Sequence, residues 1–235
     1  MHYLLAVLHK ADQSIEELLE PYYEGIEAAP YIARTKAEII EEAKKIKEEL
    51  LNNPQKSYLP IRASLLIKCQ TDEEFYNASV YDDCLYDEYG NELSTYNPDA
   101  KWDWYEIGGR WNNILRTKDG KKTNSCLLKN LDLTPDDEIF KQASEYWENN
   151  ISVQNDGMSE EIRKYYKSKE NFAKLNSIFH SHAVLDTYGL WHEPEFTWDM
   201  EKNEKEEIKW QAEYCRRFLE NADDDLIITV VDYHI

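Results

Sequence analysis

Two short apolar runs stand at opposite ends of the chain, HYLLAVL at positions 2–8 and LIITVVDYHI at 226–235. The first reads as a buried strand. The second, apolar and rich in β-branched residues, reads as a central strand. Both are too β-rich and too apolar to sit outside a core, so the two ends are expected to lie in one sheet.

Between them, TKAEIIEEAKKIKEELLNNP is the clearest helix. Thr35 and Glu38 form a capping box, and Pro54 closes the segment. Ile39, Ile40, Ala43, Ile46, Leu50 and Leu51 follow at three- and four-residue spacing and line one face, with Glu and Lys opposite. Residues 70–100 are acidic and Tyr-rich, an irregular approach with one short helix. In NNILRTKDGKKTNSCLL, Asp119-Gly120 sits between two strand-like runs, which signals a hairpin. TPDDEIFKQASEYWEN is expected to open a helix with Thr134 as N-cap and Pro135 at the first helical position. SEEIRKYYKSKENFAKL follows Asp156-Gly157 as another helix. IFHSHAVLD (178–186) and LWHEPEFTW (190–198) read as strands joined at Tyr188-Gly189, and a last helix covers about 202–220. Strands and helices do not strictly alternate, and the hairpins imply antiparallel pairing. The expected fold is α+β: a single domain with a mostly antiparallel sheet and helices packed on one face. Helical insertions are placed at about 35–53 and 134–176.

With 42 % hydrophobic and 13 % aromatic residues, the chain is a globular protein and not a disordered acidic tail. No apolar run approaches the roughly 20 residues of a membrane helix, and the N-terminus lacks the basic start of a secretory signal. Cys69, Cys84, Cys126 and Cys215 are scattered without a C-x-x-C pair, which indicates neither a zinc knuckle nor a disulfide framework. Reduced thiols in a cytoplasm are the simplest reading. Charge is the strongest bulk signal: 27 Lys and Arg against 47 Asp and Glu, net −20. Such a surface repels nucleic acid and anionic membrane, so neither is an expected partner. It serves solubility, or it lets an acidic face dock on a partner's basic groove.

The stretch YNPDAKWDWYEIGGRW, residues 96–111, holds three of the chain's seven Trp around a Gly-Gly-Arg. Gly108-Gly109 permits a turn or a close backbone approach. Arg110 offers a planar fork for phosphate or carboxylate, and Trp104 and Trp111 offer faces for stacking on a base or sugar. Together they suit a pocket for a nucleotide-like small molecule. The same residues also suit a core corner in which the glycines make a bulge and Arg110 pairs with Asp103. At the other end of the chain, Asp232 and His234 share one strand face while Tyr233 points to the other. An Asp beside a His orients the imidazole as a general base needs; a frayed end with two solvated groups is the alternative. His180 and His182, with His192-Glu193 and Asp232/His234 elsewhere, supply enough ligands for a divalent ion. Their spacing is unspecific, however, and neither a metal nor a cofactor is expected. Nucleophile elbows, P-loops and dinucleotide-binding glycine fingerprints are absent.

YNPDAKWDWYEIGGRWNNIL, AVLDTYGLWHEP and the terminal TVVDYHI resemble, in order and position, three blocks of a family of uncharacterised proteins from tailed phages and prophages. The resemblance carries over Trp102, Asp103, Trp104, Gly108, Gly109, Arg110, Trp111, Trp191, Asp232 and His234. Tyr233 replaces a Cys of the terminal block, so a thiol there is not essential. His192 replaces a Tyr after Trp191, and PEFTWDM stands where the family has a Gly-Glu-Met-Gly-Trp segment. What the resemblance implies is a phage setting and a site where the last strand meets the Trp/Gly/Arg block. The expected function is that of an accessory protein in the host cytoplasm that antagonises a defence system by binding. It would sequester a nucleotide-derived signal, or dock on a host defence protein through its acidic surface. The rival expectation is a small nucleotide-directed hydrolase with His234 as base, Asp232 orienting it and Arg110 holding phosphate.

Overall fold

A computed structural model describes residues 1–52, 63–197 and 199–235. The chain divides into two compact units, Met1–Tyr23 with Lys101–Ile235, and Glu24–Ala100. The single-domain reading of the sequence does not contain this division.

In chain order the elements are β1 (His2–His9), α1 (Ile15–Leu19), β2 (Tyr31–Arg34), α2 (Lys36–Asn52), α3 (Ala63–Leu66), α4 (Asp72–Ser79), β3 (Leu85–Tyr86) and β4 (Glu92–Ser94). Then follow β5 (Trp104–Ile107), β6 (Leu115–Arg116), β7 (Lys122–Thr123), β8 (Ser125–Leu127), α5 (Asp137–Tyr146), α6 (Gly157–Tyr166) and α7 (Lys169–Asn176). The last are β9 (Ala183–Leu185), β10 (Trp191–His192), α8 (Met200–Tyr214) and β11 (Ile227–His234). No helix among the described residues is long and apolar enough to cross a membrane.

The fold is α+β, and its main sheet runs β10-β9-β1-β11-β5, with β8 also paired to β11. Only β1 and β9 are parallel. The two end strands are neighbours over their whole length, from His2 opposite His234 to His9 opposite Ile227. Period-two alternation then sorts their side chains. Leu4, Ala6, Leu8, Ile228 and Val230 face one core with Trp210, Tyr214 and Phe218, from α8 and the π-helical turn after it. α6 and α7 extend that helical side through Ile162, Tyr166 and Phe172, which pack with Ile208 and Ala212 of α8. Leu5, Val7, Val231 and Tyr233 face the other way, onto Leu19, Trp102 and Trp191. Each fully buried aliphatic side chain stabilises the sheet by about 1.5–3 kcal/mol, so this ladder is the best-anchored part of the unit.

Local rules explain most helix starts, with corrections. Thr35 and Glu38 do form the capping box: Glu38 N–H donates to Thr35 Oγ1 at 3.2 Å and Thr35 N–H to Glu38 Oε2 at 2.7 Å. Pro54 lies outside the described residues. Ile39 and Ala43 are buried and Ile40 and Ile46 pack beside them, but Leu51 is 58 % exposed and leaves that face. The α5 cap is Asp136 and not Thr134. Its carboxylate accepts from Glu138 and Ile139 N–H, and a carboxylate two residues on outcompetes the hydroxyl. Asp156 caps α6, and the segment expected as one helix breaks at Lys167, in the left-handed region at φ 65°. Between 70 and 100, Thr71 and Glu74 cap α4, and β3 and β4 pair across Gly90. The hairpin at Asp119-Gly120 is present, pairing β6 with β7. The strands expected over 178–186 and 190–198 shrink to β9 and β10. His180 and His182 precede β9, and Trp198 lies outside the described residues.

Candidate functional site

The β1–β11 ladder is apolar until its last two rungs on the helical side. Leu8/Ile228 and Ala6/Val230 are followed by Leu4/Asp232 and His2/His234. Asp232 is therefore carried into the core by the same alternation that buries Val230, and it is 1 % exposed. A buried carboxylate must be hydrogen-bonded to be tolerated. Its Oδ1 accepts from His2 Nδ1 at 2.8 Å, and its Oδ2 accepts from the backbone N–H of Arg110 at 2.9 Å.

That second bond explains the paired glycines. β5 runs beside β11 with Ile107 opposite Val231, then the chain turns over Asp232 through Gly108 and Gly109 at φ 78° and 46°. A Cβ on Gly109 would stand 2.5 Å from Asp232 Oδ2. One on Gly108 would strike the Asn124 side chain. Only a glycine lets the next N–H reach the carboxylate. The close approach is made to the protein's own Asp232, and it is the backbone of Arg110 that makes it.

A second His–Asp pair lies alongside. His234 Nδ1 donates to the Asp103 carboxylate, 2.9 and 3.1 Å from its two oxygens, and the Met1 amine is 3.2 Å from His234 Nε2. The His2 and His234 rings are 5.0 Å apart and meet edge to face. Trp104, opposite His234 in the ladder and 45 % exposed, presents its indole edge-on to His2 at 5.8 Å. Because a carboxylate only accepts, it fixes the tautomer of each neutral imidazole with the proton on Nδ1. His2 Nε2 then carries a lone pair and has no hydrogen-bond partner among the described residues. His2 also lines a cleft of about 350 Å³ with Trp111, Trp210, Gln211, Glu207 and His182. His182 stacks on Tyr3 at 4.5 Å, and burial pushes its pKa down.

The expected site residues are thus only partly gathered. Asp103, Trp104, Gly108, Gly109, Asp232 and His234 meet at the ladder end, and Trp111 walls the adjoining cleft. Trp102 and Trp191 pack in the core on the opposite side of the sheet. The Trp102 indole N–H donates to Leu19 O at 3.0 Å, and Trp191 meets the Tyr233 ring at 5.2 Å. The Arg110 side chain is exposed and makes no ion pair among the described residues, so it does not pair with Asp103. Asp232 orients His2, and Asp103 orients His234. Among the described residues no three His, Cys, Asp or Glu side chains are grouped to hold a metal ion. His192 is engaged by Asp186 at 2.8 Å. The residue that sequence reasoning misses is His2. Its signal is that it begins the inward-facing series 2, 4, 6, 8, which runs antiparallel to 228–234.

Comparison with protein-family models, with curated proteins and with solved structures returns no match.

Proposed function

We propose that the chain performs acid–base chemistry on a small nucleotide-like phosphoester at the polar end of the β1–β11 ladder. The observation that carries this reading is the His2–Asp232 pair, a partly exposed imidazole backed by a buried carboxylate that a backbone N–H holds in place. In the proposed step His2 Nε2 takes a proton from the water that attacks phosphorus. The phosphorus–oxygen bond to the leaving group breaks, the departing oxygen takes a proton from solvent water, and His2 releases its proton to solvent. Trp104 offers a face for the base or sugar. This is the hydrolase expectation with the base moved from His234 to His2 and the Asp roles exchanged.

A second reading has its own support. Arg110 and Trp104 are both exposed, and Arg110 makes no ion pair among the described residues, which is grip without chemistry. It favours sequestration of a nucleotide-derived signal, the way a phage accessory protein in the host cytoplasm would antagonise a defence system. The phage setting rests on the resemblance of the three sequence blocks, and docking on a defence protein rests on the net charge of −20. Incubation with a panel of cyclic and linear nucleotides, then heat release and chromatography, separates these readings. Hydrolysis predicts new products from wild type and an intact, retained nucleotide from His2→Gln. Intact nucleotide released from wild type favours sequestration, and no retention by either protein removes both.

A further inference from the structure

Three helical segments, α6, α7 and the turn after α8, meet around an open cleft of about 460 Å³. Lys164 and Lys167 come from the end of α6, Lys174 from α7, and Arg216 from the turn at Cys215–Leu219. Four cations face only Glu213 and Glu220 in this lining, although acidic residues outnumber basic ones 47 to 27 in the chain. Elsewhere cations are commonly tied to carboxylates, as in Lys101–Glu193 and Lys129–Asp225. In the cleft, Lys164 reaches Glu161 at 2.7 Å and Arg216 reaches Glu213 at 3.4 Å. The side chains of Lys167 and Lys174 make no ion pair or hydrogen bond among the described residues. Lys167 is also the residue at φ 65° that ends α6, a position that usually takes Gly or Asn. A strained backbone that brings an unpaired cation to a cleft points to use. Cys215 adds no charge there, since burial and Glu220 push its thiol up to about 11.

We infer that this cleft is a binding site for a small phosphate-bearing anion. The site is separate from the His–Asp pairs and does not depend on the function proposed for them. Charge and range decide the size of the ligand. At physiological ionic strength the screening length is about 8 Å, so a compact anion inside the cleft responds to the local excess of cations. An extended polyanion also meets the acidic surface around it and is repelled. Tyr165 and Leu175 give the cleft an apolar wall, with Lys164 held 4.7 Å over the Tyr165 ring, so a flat organic group fits beside the phosphate.

Calorimetric titration of the full chain with inorganic pyrophosphate tests this. Saturable binding is expected, weakened at least tenfold in the double variant Lys167→Glu/Lys174→Glu and unchanged in Lys118→Glu/Lys122→Glu on the hairpin. Raising NaCl from 0.05 to about 0.3 M should weaken it further. His2→Gln should bind as wild type. Circular dichroism confirms that each variant is folded. Absence of saturable binding, or equal binding by the Lys167/Lys174 variant, overturns the inference. So does loss of binding in His2→Gln alone, which would place pyrophosphate at the ladder end. A poly-glutamate peptide binding where pyrophosphate does not would assign the cleft to an acidic protein segment and overturn it as well.

Discussion

β1 carries a histidine at each end, and the fold uses them in opposite ways. His9 is buried: its Nδ1 donates to Lys10 O at 3.0 Å, which leaves Nε2 to accept from the Thr229 hydroxyl at 3.0 Å. Thr229 is in turn 2.8 Å from the Ser125 hydroxyl. Both ring nitrogens are spent inside a neutral network. His2 has one nitrogen on a buried carboxylate and the other without a partner, at the edge of a cleft. Two residues of one type on one ladder therefore differ in what their second nitrogen is left to do. A histidine with both nitrogens satisfied by neutral groups holds structure, and one oriented by an anion with a nitrogen to spare is equipped for proton transfer.

The strongest break of that contrast is functional. His2→Gln should lower turnover of bis(4-nitrophenyl) phosphate by about 10²–10⁴-fold, the range for removing a general base, in a variant that circular dichroism shows to be folded. His9→Gln should leave turnover near wild type and cost about 1–3 kcal/mol, as expected when a buried hydrogen-bond partner is mismatched. Equal loss of turnover in both variants, each folded, would erase the distinction between the two ends. The next effect sharpens what holds His2. Gly109→Ala drives a Cβ into Asp232, while Gly120→Ala at φ 82° meets nothing within 4 Å. Both pay about 1–2 kcal/mol for a left-handed alanine, but only Gly109→Ala adds about 1–3 kcal/mol of overpacking. Urea denaturation of the two variants isolates the difference. Equal costs would mean that Asp232 is not pinned by the turn.

The same contrast shows what a sequence can disclose. β1, β11, α2, the hairpin at Asp119-Gly120 and the α+β class follow from local pattern, because apolar periodicity, capping boxes and Asp-Gly turns act within a few residues. Asp232 and His234 were legible as one strand face by the same rule. Their partners were not. Asp103 with His234, and His2 with Asp232, are separated by 131 and 230 positions, so only the ladder register decides who meets whom. Gly108-Gly109 announced a close approach without saying to what. The Trp residues misled because an indole suits a core as well as a ligand, and Trp102 and Trp191 went to the core. The break at Lys167 has no Gly or Pro to mark it; its local signal is Ser168, whose hydroxyl accepts from Asn171 N–H and caps α7.

The smallest expected effect concerns acid stability at the cleft end of the ladder. Burial lowers the pKa of His182 in the folded protein, opposed by the Glu193 and Glu207 carboxylates, while its ring stacks on Tyr3 beside His2. For a base with a depressed folded pKa, the unfolded chain takes up the proton first. Stability contributed by the neutral ring is complete above the ordinary histidine value of about 6.5 and is lost as pH falls below it. One proton sets a ceiling of about 1.4 kcal/mol per pH unit, and partial exposure keeps the slope under it. His182→Phe keeps a flat ring against Tyr3 but cannot be protonated. Urea midpoints at pH 7, 6 and 5 should therefore fall less steeply for His182→Phe than for wild type, with all other titrating groups cancelling in the comparison. Parallel declines would show that the ring at the cleft end charges as freely as in the unfolded chain, and that this end of the ladder is no more acid-sensitive than a solvated loop.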